Sequence, residues 1–144
     1  MTKTIRDILG NKGNDVYTIG SDANVYEALE RMAEKNIGAL VVMKDGKIVG
    51  ILSERDYARK VILHGRSSLQ TPVDKIMTKE VCYALLSQTV EECLAIITEK
   101  RCRHLPVFDG TNMIGMVSIG DLVKASIEEK EFLINQLENY IKAG

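Results

Sequence analysis

The sequence has no tryptophan and only two prolines among its 144 residues, but the more informative shortages lie elsewhere. Charge of one sign is the first: 19 Lys and Arg stand against 20 Asp and Glu, a formal net charge of −1. With a pI near 6.1, the chain lacks the basic excess that nonspecific nucleic-acid binding requires. Long apolar runs are missing too. None approaches the ~20 residues of a membrane-spanning helix, and the start, Met1-Thr2-Lys3-Thr4-Ile5-Arg6, has no signal-peptide apolar core. Cysteine is scarce: Cys82, Cys93 and Cys102 are an odd set without framework spacing, which fits a reducing cytoplasm. There is no C-x-x-C pair, and Cys93 falls on an apolar stripe, so Cys93, Cys102 and His104 make a poor zinc set.

What the chain does have is repetition. Its 45% hydrophobic and 27% charged residues are those of a globular domain. Residue 16 laid over residue 81 aligns the chain with itself, without a gap, as far as Ile62 over Ile127. Val25/Val90, Glu27/Glu92, Leu29/Leu94, Leu40/Leu105, Gly50/Gly115, Ser53/Ser118 and Asp56/Asp121 match. Short lead-ins, Ile5-Arg6-Asp7-Ile8-Leu9 and Val73-Asp74-Lys75-Ile76-Met77, also resemble each other, with three extra residues after the first. This is a tandem duplication.

Each copy reads β-α-β-β-α. After a polar turn over 10–14, Val16-Tyr17-Thr18-Ile19 reads as a short strand. Asn24 and Thr89 are N-caps with Glu27 and Glu92 at the third helical position. Val25, Ala28, Leu29, Met32 and Ala33 form one helical stripe, and Val90, Cys93, Leu94 and Ile97 its counterpart. Asp45-Gly46 predicts a hairpin turn, and Asp109-Gly110-Thr111-Asn112 a slightly longer loop. Pro106 within a strand suggests an edge, a bulge or backbone left open to a ligand. The expected division is 1–70 for the first copy with its lead-in and linker, 71–127 for the second, and 128–144 for a helical extension. Neither half buries a comfortable core alone, so the two should pack together. In the extension Ile127, Ile134 and Ile141 are seven apart, with Leu137 between them and Leu133 and Tyr140 beside. That apolar face predicts a subunit interface in preference to packing back on the same chain.

The sharpest feature is Gly50-Ile51-Leu52-Ser53-Glu54-Arg55-Asp56 and its copy Gly115-Met116-Val117-Ser118-Ile119-Gly120-Asp121. Each reads as a buried strand running into the first turn of a helix. The plain explanation is a cap, in which serine and aspartate satisfy backbone N–H groups. The functional one follows from charge. A carboxylate only accepts, so Asp121 suits a donor pair such as a ribose diol. The helix N-terminus, Arg103 and His104 suit an anion. A ligand with a diol at one end and phosphate at the other is a nucleotide. Asp56, Ser53 and Arg55 repeat part of this arrangement, whereas Gly38 and Ala39 stand in place of Arg103 and His104.

The doubled unit with its G-h-h-S-x-x-D motifs resembles a pair of CBS domains, named after cystathionine β-synthase, over roughly Ile5 to Ile127. The resemblance implies an α/β (α+β) fold whose halves are related by a pseudo-two-fold axis. It also implies clefts between them for adenosine ligands: AMP, ADP, ATP, NAD or S-adenosylmethionine. By the same resemblance Asp56 and Asp121 hold ribose, while Ser53, Ser118, Arg103 and His104 face phosphate. Thr18, Gly38, Ala39, Arg55, Pro106, Ile119 and Gly120 complete the two expected sites. A regulatory module follows, without catalysis or catalytic cofactor, forming a homodimer and signalling to an effector protein, with no membrane or nucleic-acid partner. A purely structural dimerisation module is the alternative. A zinc protein or an enzyme fits less well, because neither aspartate has a nucleophile–base partner in the sequence.

Overall fold

A computed structural model of the chain describes residues 2–13 and 15–143. Two compact units make it up: Val16–Val81, and Met1–Asp15 together with Cys82–Gly144. The first contains β1 (Thr18–Gly20), α2 (Val25–Lys35), β2 (Ala39–Lys44), β3 (Lys47–Ser53) and α3 (Glu54–Tyr57), which continues into a π turn over Ala58–Ile62. The second contains α1 (Ile5–Lys12), β4 (Ala84–Leu85), α4 (Val90–Lys100), β5 (His104–Asp109), β6 (Asn112–Ser118) and α5 (Ile119–Ala143). Each unit is thus a mixed α/β layer around one three-stranded sheet, ordered β1-β2-β3 or β4-β5-β6. In both, the first strand is parallel to the middle one and the last antiparallel to it. Among the described residues no helix is long and apolar enough to cross a membrane.

The local signals produce the local structure. The Asn24 side chain accepts from the Glu27 N–H at 2.9 Å, and Thr89 and Glu92 form a reciprocal capping box. Val25, Ala28 and Met32 are buried and Leu29 half-buried, but Ala33 is exposed. Middle strand β2 is buried from Ala39 through Val42, as a strand covered on both faces must be. Asp45 and Gly46 both take positive φ, and Lys44 pairs with Lys47. The second hairpin is no longer than the first: Asp109 pairs with Asn112 across two residues, with positive φ at Gly110. The register shift at Val42/Met43 recurs at Val107/Phe108.

Two expectations are corrected at the chain's start. The turn expected over 10–14 is helical through Lys12, and Gly13, at φ +101°, closes the helix by donating to the Leu9 carbonyl at 2.8 Å; Asn14 lies outside the described residues. A glycine inside a helix costs about 1 kcal/mol relative to alanine, offset here by burial of Ile5, Ile8 and Leu9. The first strand begins two residues later than expected, although Tyr17 still accepts from the Val41 N–H at 3.2 Å.

The compact units exchange the two lead-ins. The lead-in α1 belongs to the unit of the second copy, and Val73–Lys75, a single 3₁₀ turn, to that of the first. Backbone bonds explain why. Val73 and Asp74 donate to the carbonyls of Ala23 and Ser21, at 2.8 and 3.0 Å. Ile5 and Arg6 donate to Gln88 and Leu86, the same positions one copy later, at 3.0 and 3.2 Å. Each lead-in then buries its apolar residues in that core: Val73 and Ile76 in one, Ile5, Ile8 and Leu9 in the other.

The motif glycines mark where the lead-ins dock. A Cβ on Gly50 would lie 2.7 Å from Met77 Sδ and 2.8 Å from the Thr78 carbonyl. One on Gly115 would lie 2.9 Å from a Leu9 methyl. Only glycine lets the lead-in approach so closely.

Candidate functional site

The motif aspartates stand where the last strand of each sheet becomes a helix. Ser53 is extended (φ −119°, ψ 162°), and its hydroxyl accepts from the Asp56 N–H at 3.1 Å. Asp56 Oδ2 accepts in return from the Ser53 N–H and hydroxyl, at 3.0 and 3.1 Å. Its Oδ1 takes the Thr78 hydroxyl at 3.1 Å and the Lys60 ammonium, one helical turn on, at 3.3 Å.

The second copy repeats the cap and changes the rest. Asp121 N–H donates to Ser118 Oγ at 3.1 Å, and Asp121 Oδ2 accepts from the Ser118 N–H at 2.8 Å. The ammonium at this carboxylate comes from Lys12, at the end of α1, 2.6 Å from Oδ2. Lys12 Nζ also donates to the Met116 carbonyl at 2.7 Å. Burial pushes the Asp121 carboxyl up, but Lys12 and the Ser118 N–H and hydroxyl outweigh it, so its pKa lies below the ordinary aspartate value.

The strand pairing brings most of the expected residues of each copy to one sheet end. His104 pairs with Ser118, and the Arg103 carbonyl accepts from the Ile119 N–H at 2.9 Å. Arg103 is exposed and His104 half-buried, the alternation that opposite strand faces require. In the first copy Ala39 pairs with Ser53, and the Gly38 carbonyl accepts from Glu54 N–H at 3.0 Å. Thr18 pairs with Val41, two residues further along β2, and its carbonyl accepts from the Arg31 guanidinium. Arg55 is exposed on the first turn of α3, as are Ile119 and Gly120 on that of α5. Arg101 caps α4 in the left-handed region (φ 56°), exposed, as Asn36 caps α2.

Pro106 lies in the middle strand, where its counterpart Val41 donates to Tyr17. Having no N–H, proline cannot make that bond, and β4 pairs only from Ala84↔Val107 onward. The sequence sites missed Lys12, Thr78 and Lys60. Lys60 had an i,i+4 signal from Asp56; Lys12 and Thr78 had none, since each arrives on a docked lead-in.

The cysteines remain apart from this chemistry. Burial, with Glu92 adding, pushes the Cys93 thiol up to about 11. Burial and the neighbouring Cys82 thiol push Cys102 up to about 12. Both are therefore protonated thiols near neutral pH. Among the described residues no three His, Cys, Asp or Glu side chains converge as metal ligands.

This architecture, two copies of a β-α-β-β-α unit each ending in a Ser–Asp cap, defines a class that comparison identifies. The CBS domain family matches twice, at residues 4–63 and 73–128, and the chain belongs to it. Among relatives, it is 41% identical to the mitochondrial CBS domain-containing protein CBSX3 of Arabidopsis thaliana, over 98% of this chain and 73% of that protein. A solved structure of a protein with CBS domains from Burkholderia ambifaria is 50% identical, with TM-score 0.82 over 88% of this chain and 95% of that one. A hexameric CBS-CP12 protein from bloom-forming cyanobacteria is 27% identical, with TM-score 0.77 over 85% of this chain and 67% of that one. The chain is thus a CBS-domain pair, typically a regulatory ligand-binding module.

Proposed function

We propose that this chain is a non-catalytic sensor of adenosine nucleotides (AMP, ADP, ATP or NAD(H)), read out by an effector protein. The observation that carries the reading is the setting of Asp121. A carboxylate kept ionised at a strand–helix junction, bonded to Lys12 and at the sheet end that Arg103 and His104 enter, suits a ligand that is a diol at one end and an anion at the other. Asp56 offers the same acceptor with fewer cations, so the two sites differ in their demand for phosphate. No catalytic cofactor enters this reading. The test is mass spectrometry of compounds released by denaturing the purified chain, followed by melting curves with AMP, ATP, NADH and guanosine nucleotides. Adenosine ligands raise the melting temperature by mass action, and guanosine ones raise it less.

A second reading, a structural dimerisation module, is favoured by the capping bonds, which account for serine and aspartate without a ligand. No shift with any nucleotide at millimolar concentration would leave that one standing. Both readings include a homodimer. From residue 131 to 143 every α5 residue is exposed, including Leu133, Ile134, Leu137 and Ile141. An exposed apolar face of this size calls for a cover, and a second copy is the partner proposed for it.

A further inference from the structure

We infer that Lys12 is a specificity-determining residue of the Asp121 site, one that selects ligands carrying a 5′-phosphate over neutral nucleosides. The inference rests on the nucleotide reading and extends it to a residue 109 positions from the aspartate it serves.

A lysine ammonium has three N–H donors. Two are spent within the chain, on Asp121 Oδ2 at 2.6 Å and on the Met116 carbonyl at 2.7 Å. Both acceptors belong to the motif strand and its helix, and Met116 pairs with Pro106 across the sheet. Lys12 therefore stands inside the site, with its charge placed by two bonds. Its side chain is 41% exposed at the rim of a cleft of about 130 Å³ that Asn11, Asp121, Lys124 and Glu128 also line. Among the described residues no acceptor takes the third N–H, which is the donor left for a ligand. With Lys12 and Ser118 both on Oδ2, a ribose diol approaches Oδ1, and the ammonium is then one carboxylate width away. A phosphate on the same ribose meets a charge already held in position, so little side-chain entropy is lost on binding. A neutral nucleoside gains nothing from it.

The first copy has no equivalent. The ammonium at Asp56 comes from Lys60 on the same helix, and the position matching Lys60 in the second copy is the buried Ala125. Discrimination by phosphate through a lead-in lysine is thus a property of one site only.

The test is calorimetric titration of the full chain with AMP and with adenosine, in a Asp56→Ala background that leaves one site to report. Lys12→Met, Lys12→Arg and Asp121→Ala are compared, with melting curves to verify folding. The AMP-over-adenosine preference should fall about tenfold in Lys12→Met, the worth of one charge-assisted hydrogen bond, and recover in part in Lys12→Arg. A Lys12→Met that weakens both ligands equally would reduce Lys12 to a strut for α1 and overturn the inference. An unchanged preference, with binding still abolished by Asp121→Ala, would overturn it and leave the nucleotide reading intact. Absence of AMP and adenosine binding in the wild type would remove both.

Discussion

The two motif sites share one backbone and differ in how they are furnished. The backbone bonds of both caps, both hairpin registers and the first two backbone bonds of each lead-in recur position for position. Side-chain roles have moved. An ammonium reaches Asp56 from Lys60 on the same helix, but reaches Asp121 from Lys12 on a lead-in. Gly38 and Ala39 become Arg103 and His104, and Val41 becomes Pro106. Main-chain geometry is fixed by pairing with many partners, so it survives duplication. A single charge needs only to arrive within reach of its carboxylate, so it can come from a different element. The comparison teaches that the frame is the conserved quantity and the cation its variable.

The largest difference lies beyond the sites. The first copy's helix ends in the π turn at Ala58–Ile62, whereas α5 continues unbroken from the Asp121 cap to Ala143. If that extension holds two copies together, Ile134→Asp with Leu137→Asp should convert a dimer to a monomer in sedimentation. A mutant that stays dimeric would remove the extension from the interface and make the two helices functionally alike.

A smaller effect separates the glycines. Gly50→Ala drives a methyl toward the Thr78 carbonyl, and Thr78 and Ile51 hold one another through two backbone bonds, at 2.8 and 2.9 Å. Backbone so tied yields little, and a loss of about 2–3 kcal/mol is expected in urea unfolding. Gly115→Ala meets only Leu9 methyls, which can rotate, and should cost about 1 kcal/mol. Equal losses would show that the lead-ins dock with the same rigidity.

The smallest effect is in acid. The Asp121 pKa is lowered, so its contribution to stability is present above the ordinary carboxylate range and is lost as pH falls through the lowered value. Lys12→Met removes part of it. The melting difference between wild type and Lys12→Met should be constant near neutrality and shrink toward zero in acid. Because Lys12 and Asp121 are 41% and 27% exposed, solvent screening keeps the pair below about 1 kcal/mol. A difference independent of pH would mean that Lys12 acts by packing alone.

The elements that were legible in the sequence are those with local signals. Asn24 and Thr89 announce their helices, Asp45-Gly46 its turn, and the self-match at an offset of 65 residues the doubled sheet. The motif aspartates were legible as caps and as acceptors, and both bond as caps. Lys12, Thr78 and the docking of each lead-in were not. Periodicity and capping report what a segment does with its immediate neighbours, whereas these depend on contacts across tens of residues. Even the lead-in resemblance, which was visible, pointed to adjacency in sequence rather than to the core each segment fills. The second hairpin reads long because Asp109 and Asn112 look like loop residues, yet they form the last rung of the ladder.

The placement of α1 has a consequence for synthesis. Val16–Val81 is one continuous stretch, so every partner within that unit is present once the stretch has emerged. The segment made before it lacks its partners at that point, because Ile5, Ile8 and Leu9 fill a core whose other walls come from Cys93, Leu105, Val117 and Leu122. At about 5–20 residues per second those walls emerge several seconds later. An eight-residue helix does not hold itself together meanwhile. The α1 segment therefore waits for walls made long after it, and Lys12 reaches Asp121 only once the second copy has emerged.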